Sequence, residues 1–314
     1  MKNLNFILKK LFTIVAIMFI VSFIVFYLLR LSGVDPVTVL IGNKQTTEEL
    51  KESLTKQYGL DKPLSAQYIN WLKELIKGHL GVDYVNKQDI GMLIAARLPV
   101  TAGLVVMSSV IGTAIAIILG VIAAVNRNKA ADKVVSVLML LLSSAPSFVV
   151  SILVIITFAR FFPGYSFIGN YSNFGEYIKR ISIPSIIMSL HLVAMLGRVT
   201  RSSMISQLQA PYITTAKAKG LSNFDVIFKH GFHNAVIPVL TVAGLMFAGS
   251  VGGTVLIEQI FSLPGIGGLL VEGIQQNNYP VVQVLVLVML VVYLTMSFLV
   301  DILYAVIDPR IKKK

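Results

Sequence analysis

The chain has 314 residues, 55% of them apolar and only 13% charged, with a mean hydropathy of +0.79. A soluble domain carries about 25% charged residues, and a chain this apolar cannot hide its side chains in one water-soluble core, so an ordinary cytosolic enzyme is excluded and a membrane protein indicated. It has no cysteine, which removes disulfides, thiolate metal sites and cysteine nucleophiles, and its net charge is +12.

A helix rises 1.5 Å per residue, so crossing about 30 Å of hydrocarbon takes about 20 charge-poor residues. In chain order such runs are 11–29, 100–125, 134–159, a shorter run 181–197 containing Pro184 and His191, then 235–257 and 280–300. The first is longer than the apolar part of a signal peptide and no small-x-small site precedes Arg30, so it reads as a retained helix. Pro146 is expected to kink the third span, and Gly249 and Gly253 form a small-x-x-x-small pair in the fifth.

Lys and Arg mark the cytoplasmic side of a span. The N-terminus, the 126–133 turn, the 198–234 loop and the tail hold 15 basic residues against Asp132, Asp225 and Asp308. The last outer loop, near Glu258 and Glu272, has none. Both termini are therefore expected in the cytoplasm, with an even number of spans. The basic excess is a topology signal, and no nucleic-acid partner is expected.

Residues 32–98 form a polar segment on the outer side. Thr46 and Glu49 have capping-box spacing, Leu50, Leu54 and Tyr58 follow at helical intervals, and Gly59 fits a helix stop. A second helix starts near Pro63, with Leu64, Tyr68, Trp71, Leu72, Leu75 and Ile76 on one face and Gly78 after it. This segment is either a cap on the spans or a surface for an extracellular partner.

The inner loop between the fourth and fifth spans carries the most information. Pro211 suits a first helical turn. Tyr212, Ile213, Thr214, Thr215, Ala216, Lys217, Ala218 and Lys219 continue it, Gly220 ends it in a left-handed conformation, and Leu221 follows. Ser222 and Asp225 cap a second short helix reaching about Gly231, and Pro238 opens the fifth span. Small side chains permit close approach by another surface. The loop is either an amphipathic stretch at the lipid headgroups or a docking element.

The run from Tyr212 to Pro238 resembles the Glu-Ala-Ala loop of permease subunits in binding-protein-dependent ABC importers, with Thr214, Thr215 and Ala216 at the Glu-Ala-Ala positions and Gly220 at the glycine. Its Thr-Ala-Lys-Ala-Lys-Gly-Leu form is similar to the dipeptide, oligopeptide and nickel branch. So are Tyr58 to Leu64 with Gln67, Tyr68, Trp71 and Leu72, then Arg97 to Thr101, then Glu258, Phe261, Pro264, Gly265, Gly267, Tyr279 and Pro280, and the ending Asp301, Tyr304, Asp308, Pro309, Arg310. Asn278 stands where that branch commonly has Asp. The resemblance covers nearly the whole chain.

It implies an all-α membrane protein with six transmembrane helices and a type I ABC importer permease-like (MetI-like) core in a prokaryotic cytoplasmic membrane. The segments are an N-terminal helix (1–31), an extracytoplasmic helical segment (32–98), a five-helix core (99–307) with a coupling loop at about 200–234, and a basic tail (308–314). The implied partners are a second homologous permease, two cytoplasmic ATPase subunits, an extracellular binding protein and membrane lipid. The chain has no phosphate-cradling Gly-x-x-x-x-Gly-Lys-Ser/Thr run. It is read as non-catalytic and without a cofactor of its own, with ATP and Mg bound by the partner ATPases. Short peptides are the leading cargo, and nickel or a metal–chelator complex the runner-up.

Other polar residues leave alternatives open. Arg198 and Arg201 share a helical face at the inner end of the fourth span. They either anchor to lipid phosphate or brace the inner loop or tail, with Asp308 as one partner. Ser108, Ser109, Ser143, Ser144 and Ser151 either line a path or bond back to their own helices. His191 is either a neutral histidine bonded to backbone or hydroxyl, or a substrate contact. Glu258 and Asp301 sit at the ends of the fifth and sixth spans, and Glu258 and Phe261 resemble the start of that branch's outer loop. His230 and His233 lack further ligands, and no metal site is expected. Spans free of Asp, Glu, Lys and Arg argue against a proton-coupled secondary transporter or channel. No glycine-rich nucleophile turn supports an intramembrane hydrolase.

Overall fold

The computed structural model describes residues 2–42, 47–167 and 171–307, with side chains described for 8–42, 47–167 and 171–300. Among these residues there are thirteen α-helices, one π-helical stretch and an isolated bridge between Val82 and Asp89. Five helices are long and apolar enough to cross a membrane, and six spans result if the bent pair Ala130–Ser144 and Ser147–Phe161 is one of them. The chain divides into two compact units, Met1–Pro99 with Pro264–Leu294 and Val100–Leu263 with Thr295–Lys314.

The first unit begins with α1 (Lys2–Leu31), α2 (Pro36–Ile41), α3 (Glu48–Gln57) and α4 (Leu64–Ile76). The short α2 was not expected from periodicity. It forms because Asp35 accepts a bond from the Val37 N–H at 2.9 Å and Pro36 occupies the first turn. The cap of α3 is Thr47, which accepts from the Leu50 N–H at 3.3 Å. The Thr46 of the expected capping box lies outside the described residues. Gly59 and Gly78 end α3 and α4 at φ of +63° and +87°. Tyr68 of α4 is buried against α1, 5.3 Å from the Phe26 ring and bonded to Ser22 Oγ at 2.9 Å. Leu64 and Ile76, expected on the same apolar face, are exposed. The start of α5 (Ile90–Val125), α12 (Ile266–Gln275) and the start of α13 (Tyr279–Ile307) complete the unit around Ile90, Ile94, Ile266, Val284 and Leu285. The α12 helix interrupts what the sequence analysis took as an outer loop.

In the second unit α5 continues from Val100 and is followed by α6 (Ala130–Ser144), α7 (Ser147–Phe161) and α8 (Phe174–Leu208). The expected kink at Pro146 is a full break, because α6 and α7 meet at 94°. Proline drives the residue before it out of helical geometry, and Ala145 has ψ of 115°. The helix α8 was the weakest span by hydropathy, yet it is the most enclosed, with 56% of its most apolar window buried against 11% for the first span. A helix surrounded by protein does not need to be lipid-soluble on every face. Its Gly197, and Gly120 of α5, allow the backbones to meet: a methyl group on Gly120 would lie 2.8 Å from the Gly197 carbonyl oxygen and 2.5 Å from Thr200 Cβ. Among the described residues the Gly249 and Gly253 pair has no such close neighbour: none lies within 4 Å of a methyl on Gly249, and Met188 Cε, at 3.9 Å, is the one near Gly253.

Candidate functional site

Helix α8 ends at Leu208, and the chain then turns through an elbow. Pro211 starts α9 (Pro211–Ala218), where its missing N–H costs nothing. Lys219 caps α9, and Gly220 follows at φ of +78°. The left-handed turn is glycine's because any Cβ there strains the backbone. A methyl on Gly220 would meet no atom within 4 Å, so the constraint is conformational and not one of space. Ser222 then accepts from the Asp225 N–H at 3.1 Å and starts α10 (Asn223–Asp225).

By sequence, this second short helix is expected to end near Gly231 and a separate fifth span to open at Pro238. The structure corrects both points. The π-helical stretch Val226–Phe232 continues from α10 straight into α11 (His233–Phe261), and Pro238 lies inside α11. The elbow is thereby joined rigidly to the span after it.

The back of the elbow is apolar and closed. Ile213 and Ala216 of α9 pack on Val226, with 1%, 7% and 2% exposure. Tyr212 ties both arms, donating to Gln207 Oε1 at 2.8 Å and accepting from Asn234 Nδ2 at 3.2 Å. The front is open. Thr214, Thr215, Lys217, Ala218, Lys219, Gly220 and Leu221 are exposed, as are Phe224 and Phe228, whose rings stack at 4.7 Å. Neither phenylalanine was singled out from the sequence, because their i, i+4 spacing reads equally as core. An exposed apolar patch rimmed by lysines has the character of a protein contact surface.

Arg198 and Arg201 separate. Arg201 does not rest on lipid: its Nε and Nη2 donate to the two oxygens of Asp132 at 2.6 and 2.8 Å. Asp132 also accepts from the Asn128 N–H at 2.9 Å and Ser136 Oγ at 3.3 Å. The brace therefore joins the last part of α8 to the first turn of α6, and its acid is Asp132 in place of the expected Asp308. Asp308 lies outside the described residues. Arg198 is exposed, and among the described residues its hydrogen bond is to Met195 Sδ, at 3.0 Å. Asp132 was missed because sequence counting treated it as an exception in a basic turn.

Ser143, Ser144 and His191 line one cavity of about 300 Å³ at the α6–α7 break. The two serines bond back to the Leu140 carbonyl at 2.9 Å each. His191 is exposed and makes no hydrogen bond with the described residues, so the bonded neutral histidine of the sequence analysis is not found. Ser108 stands apart, buried and bonded to the Val105 carbonyl at 3.2 Å. Glu258 and Phe261 are not in a loop. They occupy the last turn of α11, each 1% exposed, with Thr101 Oγ1 donating to Glu258 Oε1 at 2.7 Å. Among the described residues no three His, Asp or Glu side chains are grouped to hold a metal ion.

Residues 116–313 match the binding-protein-dependent transport system inner membrane component family, and residues 3–105 match the N-terminal part of such membrane components. The chain belongs to this family. It is a transport permease subunit and a multi-pass inner-membrane protein, in the dipeptide, oligopeptide and nickel branch of binding-protein-dependent ABC importers. Such a permease partners with an ATPase and a substrate-binding protein. It is 37% identical to a protein of Brucella abortus named as a peptide transport system permease, over 98% of both chains. It is 32% identical to one of Sinorhizobium fredii named as a peptide ABC transporter permease, over 98% of this chain and 99% of the other. It is 33% identical to the glutathione transport system permease of Escherichia coli, over 99% of this chain and all of the other.

Proposed function

We propose that this permease is one membrane half of an importer of short peptides, paired with a second, homologous permease. Its elbow at 211–232 faces the cytoplasm as the contact for an ATPase subunit, and both termini lie on that side. ATP and Mg are held by the two ATPases; this chain has no catalytic group in the cycle. The observation that carries the reading is the elbow's construction. Its back is locked by Ile213, Ala216 and Val226, and its front offers Thr214, Thr215, Lys217, Leu221 and Phe224 to a partner. Its continuity with α11 gives a push on the elbow a rigid path into the fifth span. A soft loop would absorb the same displacement. The names of the similar permeases, peptide and glutathione transporters, support a short peptide as cargo.

The test is uptake of a labelled di- or tripeptide into vesicles holding both permeases and the ATPases, with the binding protein outside. ATP-dependent accumulation is expected only with the complete set. Accumulation without the ATPases, or cysteine crosslinks that place residue 217 on the exterior, overturns the reading.

A further inference from the structure

Away from the elbow, the first unit contains a cavity of about 470 Å³ lined by Arg30, Gln67 and Gln283 and walled by Phe26, Trp71 and Tyr84. Each of the three polar residues holds a buried atom with no hydrogen-bond partner among the described residues: Arg30 Nε and Nη1, Gln67 Oε1 and Gln283 Nε2. One unsatisfied buried atom is unremarkable in a folded protein, but three residues converging on one cavity are a built set.

The Arg30 guanidinium is fixed between two rings, 4.6 Å from the Phe26 centroid and 5.2 Å from that of Tyr279. The Tyr279 hydroxyl is already engaged, at 2.7 Å from both the Val34 carbonyl and Ser32 Oγ. The one carboxylate in the lining, Glu74, is held by Lys77 at 2.6 Å and His79 at 2.8 Å. The orientation of Gln67 is settled by its amide nitrogen, which donates to the carbonyls of Leu60 and Lys62 at 3.2 and 2.9 Å. Its free oxygen is therefore an acceptor. Gln283 is only 3% exposed.

The cavity thus presents a fixed cation, a second donor and one acceptor among aromatic walls. A neutral apolar molecule leaves all three unpaired, which is costly in a buried site. A cation meets Arg30. We infer that the cavity binds an anionic group, carboxylate or phosphate, on a ligand with an N–H donor a few atoms away. The anion pairs with Arg30 and Gln283 Nε2, and the N–H donates to Gln67 Oε1. Two sources share this chemistry: the C-terminal end of a short peptide, and an ethanolamine phospholipid headgroup at the membrane surface. The inference does not rest on peptide import, because either source satisfies it.

Trp71 is the only tryptophan of the chain and lines the cavity, so its fluorescence reports occupancy directly. The full chain in phosphatidylcholine vesicles is titrated with glycyl-leucine and, separately, with glycyl-leucinamide; in a second arm phosphatidylethanolamine replaces part of the lipid. A saturable change in emission is expected with the acid and not the amide if the source is a peptide, or with phosphatidylethanolamine alone if it is a headgroup. Either response should weaken about tenfold or more in Arg30→Gln, the range of a charged hydrogen bond, and fall also in Gln283→Leu, which keeps the shape if the first variant fails to insert. No change with either source, equal response to acid and amide, or unaltered response in an inserted variant overturns the inference.

Discussion

Arg201 grips Asp132 through two parallel hydrogen bonds of 2.6 and 2.8 Å, across 69 residues of sequence. The acid is 5% exposed and the guanidinium 30%, so the pair is shielded but not sealed. Its two ends sit on α8, directly before the elbow, and on the first turn of α6. The carboxylate also stabilises the N-terminus of α6 by charge.

Removing one partner strands the other. We expect Asp132→Ala or Arg201→Ala to cost roughly 1–3 kcal/mol, below the range for a fully buried pair because Arg201 retains some water. Thermal unfolding in detergent measures it. The double variant should cost clearly less than the sum of the two singles. Additive losses would show that the bond does not couple α8 to α6.

At Gly220 the prediction separates backbone from space. Gly220→Asn, which tolerates the left-handed region, should keep most transport, whereas Gly220→Val should abolish it while leaving membrane insertion intact. Since no described atom lies within 4 Å of a Cβ at this position, the cost of placing a Cβ there comes from φ, about 1–2 kcal/mol or more. Reconstituted peptide uptake, with surface quantity measured in parallel, decides it. Equal uptake by both variants contradicts a rigid elbow.

The exposed front of the elbow can be changed without touching its core. Phe224→Ser and Lys217→Glu should leave the unfolding temperature within about 1 °C, as is usual for surface changes. ATPase activity stimulated by binding protein should drop several-fold, with basal activity of the isolated ATPases unaffected. A large loss of stability instead would mean that these side chains support the fold.

A second residue pair, Asp83 and Asn278, is buried in the first unit. Asn278 Nδ2 donates to Asp83 Oδ1 at 2.5 Å, and the Val85 and Asn86 N–H groups donate to the same carboxylate at 2.6 and 2.9 Å. Burial pushes the Asp83 carboxyl up, but the bonds from Asn86, Asn278 and Val85 outweigh it and hold it below its ordinary value. Its contribution to stability is therefore present above about pH 3.9, the unfolded value, and lost as pH falls through the lower folded value. Asn278→Asp reverses the sign. Two carboxylates in this contact raise the pKa of the pair, so the variant should be less stable than the parent at pH 7 and regain stability as pH is lowered. Unfolding temperature against pH for both proteins checks it, and parallel curves would refute the contact.

The single-residue scale explains which features were legible. The glycine stops at 59, 78 and 220, the Ser222 cap and the Pro211 start depend on backbone geometry within a few residues, so sequence sufficed. The rigid joint between elbow and span was not legible. Pro238 reads locally as a helix start, and only the structure shows the chain running unbroken from α10 through the π-helical stretch into α11 and past this proline. The Phe224 and Phe228 pair was hidden for a related reason: spacing gives a helical face, but not whether that face is covered.

The residues alone determined that this chain is a membrane protein, which runs are apolar enough to enter the bilayer, and the helix–glycine–helix order of its elbow. Each follows from hydropathy over a span or from torsional preference over a turn, and both act locally. Tertiary structure alone decided that Arg201 holds Asp132 rather than lipid, that Glu258 is buried beside Thr101, and that Arg30, Gln67 and Gln283 share one cavity. Those outcomes set residues tens to hundreds of positions apart within a few ångströms, and hydrogen bonding at such range is fixed by packing, which no local preference encodes.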